Sequence, residues 1–325
     1  MGVDARGSVR AVLAAFRQSS PEDYAALFEQ NRTVSGLPGE IAALPVVEPT
    51  EGGFRSECML FAWDGDFFAC DWRGAAADEV FRPHRDEVSV CAAEYLPPRE
   101  RSAVLDLGTG CGLYGIRARL RTGATVVARD VNARAVAFAR RNAAWNGAPD
   151  IGFEVADLFD GLGPGFDFVI LGLPYQPTPT PARAKVYSYG GDDGSLVLQT
   201  ALSRLDEVLA DGGTAVACCG LLGGATQPAL VGDLPRLLPG GDWRVTVAHL
   251  PNPVTVRAWW RQKVARPETE LERDWIARLE DAGRGWFHYC IVRITLRARE
   301  APGAVVVEDL GARGGMTAES LLGRA

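Results

Sequence analysis

Three carboxylates and one run of glycines are the first residues in this sequence with the types and spacing to do chemistry. The stretch 102–115, SAVLDLGTGCGLYG, places Asp106 at the end of a short apolar run and follows it with Gly108, Thr109, Gly110 and Gly112. That order reads as a buried strand, a tight bend and the opening of a helix. Glycine lets the bend reach positive φ and lets a ligand lie against bare main chain. Asp130 closes the next apolar run, VVARD, and Asp157 follows a third, in FEVADLF. Ligands of open α/β sheets gather beyond the carboxyl ends of the strands, so the three acids are expected to converge on one ligand. Asp130, about 20 residues past the bend, suits a pair of ribose hydroxyls through charge-assisted hydrogen bonds. The same residue, or Asn132, would equally cap the following helix. Gly110, Gly112 and Gly115 also fit the dinucleotide pattern G-x-G-x-x-G, which keeps a nicotinamide-dependent oxidoreductase in view. Asp106 argues against it. A pyrophosphate gains from amide donors and nothing from a carboxylate, whereas a positively charged ligand is attracted by one.

These residues need a scaffold, and the pattern around them supplies an α/β one. Strands are expected at 103–107, 124–129, 151–155, 166–171, 213–219, 243–250 and 286–298, with helices at 113–121, 132–146, 195–210 and 225–238. Repeated alternation of this kind predicts a seven-stranded, mostly parallel sheet with helices on both faces. Ahead of it, residues 1–56 read as a small helical region and 57–79 as a β-hairpin linker turning at Asp64-Gly65. The main domain then spans 80–299, with an insertion at 251–285, and residues 300–325 read as a peripheral tail. Trp259, Trp260 and Trp275 in the insertion would cover the acceptor side or make a dimer contact if exposed, and would be plain core if buried.

The D-x-G-x-G-x-G at 106–112 resembles the first motif of the S-adenosylmethionine-dependent methyltransferases built on a Rossmann-like sheet. Gly172-Leu173-Pro174-Tyr175 stands where the amino-methyltransferases of that class carry N-P-P-Y. YGGDDGSL at 189–196 and VFRPHRDE at 80–87 resemble segments of the release-factor glutamine methyltransferases in particular. The resemblance covers roughly residues 57–220 and implies S-adenosylmethionine as cofactor. It also implies that strand 286–298 is the antiparallel seventh strand. In that reading Asp106 meets the methionine ammonium directly or through water, beside Gly108, Thr109 and Gly110. Asp130 with Val131 takes the ribose, Asp157 with the Leu158 amide takes the adenine, and Gly172 borders the cofactor. Leu173, Pro174 and Tyr175 then frame the acceptor, the Leu173 carbonyl accepting its hydrogen and the Tyr175 ring stacking on it.

Gly172 departs from the motif, because the asparagine side chain that would accept a second hydrogen is absent. A changed acceptor is therefore expected: an oxygen or nitrogen on a small metabolite, with protein glutamine as the alternative. A cofactor-binding protein without turnover is the bland reading. Should a proton need removing, His84 is the candidate base, with Asp192 or Asp193 behind it. His249 and His288 lie on apolar strands and read as core.

Composition narrows the rest. The 325 residues carry 41 acids against 34 bases, a net charge of −7, and no basic run of the kind nucleic acid demands. The seven cysteines form no C-x-x-C pair, so neither a metal site nor a disulfide framework is expected. No apolar run approaches the roughly 20 residues of a membrane span. The charged, amphipathic start is unlike a secretion signal, and a cytoplasmic monomer or homodimer is expected.

Overall fold

The computed structural model describes residues 5–75, 78–81, 83, 91, 93–180, 185–238, 240–249, 253–301 and 303–312. Its centre is a parallel core of four strands: β5 (Ala103–Leu107), β6 (Thr125–Asp130), β7 (Gly152–Val155) and β8 (Phe166–Leu171). Val104, Leu105, Phe168, Val169 and Ile170 are fully buried, as strands covered on both faces must be. The long strand β9 (Leu209–Gly223) continues the sheet parallel to β8. β12 (Trp286–Ala298) lies antiparallel between β9 and β10 (Asp242–His249), where the resemblance places it.

Among the described residues the sheet has nine strands, two more than expected. Beyond the seven expected, β11 (Val254–Thr255) pairs with β12, and β13 (Ala304–Ala312) runs parallel to β10 at the outer edge. Within the segment read as a peripheral tail, AVVVEDLGA hydrogen-bonds as an edge strand, and residues 313–325 lie outside the described residues. The helix expected at 195–210 is shorter, Leu196–Leu202, because the chain turns through Leu205–Glu207 and enters β9 at Leu209.

The N-terminal helix Ala5–Ser19 packs on the helix Ala133–Asn146 that follows β6. Residues 33–56 are less loop-like than their glycines and prolines suggest: β1 (Val47–Thr50) and β2 (Gly53–Ser56) pair as a hairpin. A second hairpin, β3 (Met59–Trp63) with β4 (Asp66–Cys70), turns at Asp64 (φ 51°) and Gly65 (φ 81°), the two positive φ values a two-residue turn requires. Buried amides dock this hairpin. Asn142 exchanges two hydrogen bonds with the backbone of Ala69 (2.8 and 2.9 Å), and Asn146 does the same with Phe67 (3.0 and 2.7 Å). Two side chains of one helix thus pair the hairpin edge as a strand would.

The insertion folds as helices Val256–Val264 and Glu270–Asp281. Its three tryptophans are buried, with Trp259 stacked on Phe287 at 4.9 Å and Trp260 edge-on to Trp275 at 5.0 Å. They are core, not a lid or dimer face.

Candidate active site

A cavity of about 580 Å³ opens above the carboxyl ends of β5, β6 and β8, within the usual size for small-molecule sites. The bend after β5 forms its floor, with Gly108, Gly110 and Gly112 at φ of 67°, 55° and 86°. The Gly108 backbone passes so near the Gly172 carbonyl that a Cβ would lie 2.4 Å from its oxygen. The bend and the G-L-P-Y segment are therefore in main-chain contact.

Asp106 is fully buried and is not among the residues that line the cavity, so any reach from it to a ligand passes through the bend or a water. It sits beneath the bend and ties it together. Its Oδ2 accepts the Thr109 hydroxyl at 2.7 Å and the Gly115 amide at 3.0 Å, while Oδ1 is buried with no hydrogen-bond partner among the described residues. Gly115 is explained by the same contact, because a Cβ there would stand 2.7 Å from Oδ2. Burial pushes the Asp106 carboxyl up to about 6, and the neighbouring Asp130 adds to the rise against the two hydrogen bonds.

Asp130 lines the cavity. Its Oδ2 accepts the Gly110 amide (3.0 Å) and its Oδ1 the Asn132 amide (2.9 Å), which leaves acceptor capacity on both oxygens for a ligand. Burial raises its carboxyl too. Asn132, not Asp130, caps the next helix by accepting the Arg134 amide. Val131, 61% exposed, offers an apolar face beside it.

Asp157 and Leu158 lie on the same wall, and among the described residues nothing engages the Asp157 carboxylate. Leu158 holds a left-handed φ of 37°, which an L side chain adopts at a cost of about 1–2 kcal/mol. Arg129, a buried residue the sequence reading passed over, supports this loop by donating to the Leu158 (3.4 Å) and Asp160 (2.8 Å) carbonyls and pairing with Glu154.

On the opposite wall stand Gly172, Leu173, Pro174 and Tyr175, with Tyr95, Tyr187, Tyr189 and Phe81. The Gly172 amide donates to the Leu107 carbonyl at 2.9 Å, and among the described residues no donor takes the Leu173 carbonyl. Tyr175 packs over Gly220, where a Cβ would come within 3.0 Å of its ring, and meets Tyr289 edge-on at 6.1 Å. Tyr187 stacks on Phe81 with centroids 4.8 Å apart and planes within 9°.

His84 lies outside the described residues. Asp193 is already committed: its Oδ1 accepts the Ser195 amide and hydroxyl, and its Oδ2 pairs with Arg284. Asp192 is exposed and holds Trp275 through its carbonyl. Neither aspartate is among the residues that form the cavity. Among the described residues no His, Cys, Asp and Glu cluster could hold a metal, and no helix is long and apolar enough to cross a membrane.

Residues 78–180 match the family described as the methyltransferase small domain. A protein of Methanocaldococcus jannaschii provisionally named a protein N5-glutamine methyltransferase is 31% identical over 42% of this chain and 69% of its own length. The release factor glutamine methyltransferase of Deinococcus radiodurans is 32% identical over 46% of this chain and 56% of its own. Among solved structures, TYW2 of M. jannaschii in complex with AdoMet gives a TM-score of 0.47 at 13% identity, over 74% of this chain and 88% of that one. The chain belongs to the class I S-adenosylmethionine-dependent methyltransferases, in the family that includes the protein glutamine methyltransferases. S-adenosylmethionine is the cofactor of that class. The small-metabolite acceptor expected from Gly172 finds no support among the relatives, whose names point to the alternative.

The cavity fits that cofactor on its own geometry. It has spare carboxylate acceptors at Asp130 and Asp157, an exposed apolar face at Val131, and a bare-backbone bend above a buried acid. The electrostatics predict a pH dependence. Positive charge bound over the bend would favour the ionised form of Asp106, so below about pH 6 binding would be coupled to release of its proton. Affinity for S-adenosylmethionine should rise with pH up to about 6 and then level. Folding runs the other way. The folded carboxyl holds its proton more tightly than the unfolded one, so this group's contribution falls as pH rises from the unfolded value of 3.8 through about 6. The loss is up to about 3 kcal/mol at 1.36 kcal/mol per unit. Urea titrations of the ligand-free protein from pH 4 to 7 should show that slope, and Asp106→Asn should flatten it. Equal slopes in both proteins would remove the assignment.

Proposed function

We propose that this chain transfers the methyl group of S-adenosylmethionine to the side-chain amide nitrogen of a glutamine in a protein. The cofactor supplies an electrophilic methyl on a sulfonium, and the residues of the chain hold and orient what reacts with it. Asp130 holds the ribose hydroxyls, and Asp157 with the Leu158 backbone holds the adenine. The Gly108–Gly110 backbone bears the amino-acid end, braced from below by Asp106 through Thr109 and Gly115.

The observation that carries the acceptor side is the Leu173 carbonyl, which no donor takes among the described residues and which lies between Gly172, in main-chain contact with the bend, and Tyr175 on the cavity wall. An amide N–H donated to that carbonyl, with its plane against Tyr175, is held where its nitrogen faces the methyl group. Such near-attack placement contributes up to about 7–11 kcal/mol to a two-reactant step. The names of the relatives point to the same acceptor class.

Gly172 favours a second reading. Without a side chain there, one hydrogen of a primary amide goes unmatched, at about 1–3 kcal/mol for a buried donor. A hydroxyl or secondary amine needs only the one acceptor. Incubation with methyl-labelled cofactor and a release factor, followed by peptide mass spectrometry, separates the two. Methyl on a glutamine nitrogen is the expected result. Label confined to small molecules of a cell extract would favour the second reading, and no label in any fraction would contradict both.

A further inference from the structure

Tyr95 stands apart from every residue assigned above, since it lies outside the motifs yet reaches the sheet at the point where the cavity opens. Its ring is buried against Tyr114, centroids 4.6 Å apart and nearly perpendicular. Its hydroxyl donates to the Leu171 carbonyl (3.3 Å) and accepts the Cys218 amide (2.8 Å). Leu171 is the last residue of β8, and the last rung between β8 and β9 pairs it with Ala217. The hydroxyl therefore occupies the gap one step beyond the ladder, bridging an amide of one strand and a carbonyl of the other. Burial pushes the phenol well above its ordinary range, so the hydroxyl keeps the proton that it donates.

A parallel ladder continued by one rung would draw the two strands together where they now part. The segment leaving β8 at that point is Gly172-Leu173-Pro174-Tyr175, and Tyr95, Leu173, Tyr175 and Cys218 line the cavity together. Within the reading of the Leu173 carbonyl as the acceptor's partner, we infer that Tyr95 is a positioning residue. Its hydroxyl spaces β8 from β9 and thereby sets the direction in which the Leu173 carbonyl and the Tyr175 ring face the cofactor. The cofactor side depends on it less, being built by β5, β6 and the glycine bend.

Tyr95→Phe removes the bridge while keeping the ring on Tyr114. Two measurements on the full chain decide the inference. The first is a crystal structure of the variant with S-adenosylhomocysteine beside that of the parent. The Cys218 amide is expected to donate directly to the Leu171 carbonyl, with the Leu173 carbonyl displaced by roughly 1 Å, a shift of the size that costs on the order of 100-fold in such sites. An unchanged path through 171–175 would overturn the proposal. The second is methyl transfer to the release factor at saturating acceptor, read against S-adenosylhomocysteine affinity. A fall in kcat of at least tenfold with affinity within twofold is expected. Unchanged kcat, or kcat and affinity falling together, would overturn it. If the parent itself fails to methylate the release factor, the acceptor reading falls, and the crystallographic comparison still decides the role of Tyr95.

Discussion

Gly108→Ala should abolish binding of S-adenosylmethionine and S-adenosylhomocysteine. Two penalties coincide at this position. A φ of 67° costs an L residue about 1–2 kcal/mol. The added Cβ would lie 2.4 Å from the Gly172 carbonyl oxygen, a main-chain atom that no rotamer change can move away. Relief requires shifting either the bend that carries the amino-acid end of the cofactor or the segment that carries the acceptor. Cofactor affinity is expected to fall at least 100-fold by calorimetric titration, with a lowered melting temperature and no measurable turnover. Gly110→Ala makes a sharp comparison. Its φ of 55° is similar, but the nearest atom to its Cβ is 3.9 Å away, so its fold should be less disturbed. Full affinity in Gly108→Ala would mean that the bend does not cradle the ligand.

Asp130→Ala is the second large effect. The carboxylate accepts the Gly110 and Asn132 amides and, in the proposed site, both ribose hydroxyls. Hydrogen bonds to a charged group contribute about 1.5–3 kcal/mol each, and the two backbone donors it leaves behind add their own cost. A loss of about 3–6 kcal/mol in binding corresponds to a Kd weaker by roughly 100- to 20,000-fold. Asp130→Asn keeps one acceptor oxygen and should fall between. Unchanged cofactor affinity in Asp130→Ala, with the fold intact, would remove the ribose assignment.

Much of this site was legible in the sequence because its parts are local. Strand, bend and helix lie within fourteen residues at 102–115, and the acids at 130 and 157 each follow an apolar run with a period the strand dictates. Asp106 shows the limit of that reading. Its place in the motif is plain, but that it faces the underside of the bend is decided by Gly115, whose missing Cβ lets the carboxylate approach its amide.

Residues that act across the sheet left no comparable trace. Tyr95 meets partners 76 and 123 positions away, and in the sequence it is one more aromatic on an apolar helix face. Arg129 reads as a charge in a strand until Leu158 and Asp160 are seen to turn over it. Asp193 looked available as a base because its partner, Arg284, comes from the distant insertion. The edge strand Ala304–Ala312 was obscured differently. It follows β12 in the chain but pairs with β10 on the far side of it, an order that neighbour-by-neighbour reading does not anticipate.

A crystal structure of the parent protein soaked with S-adenosylhomocysteine tests the account most directly. Both ribose hydroxyls should lie on Asp130, the adenine between Val131 and Leu158 with its amino group on Asp157, and the sulfur facing the Leu173 carbonyl. Finding the nucleoside elsewhere, with Asp130 and Asp157 engaged only by the protein's own amides, would contradict it.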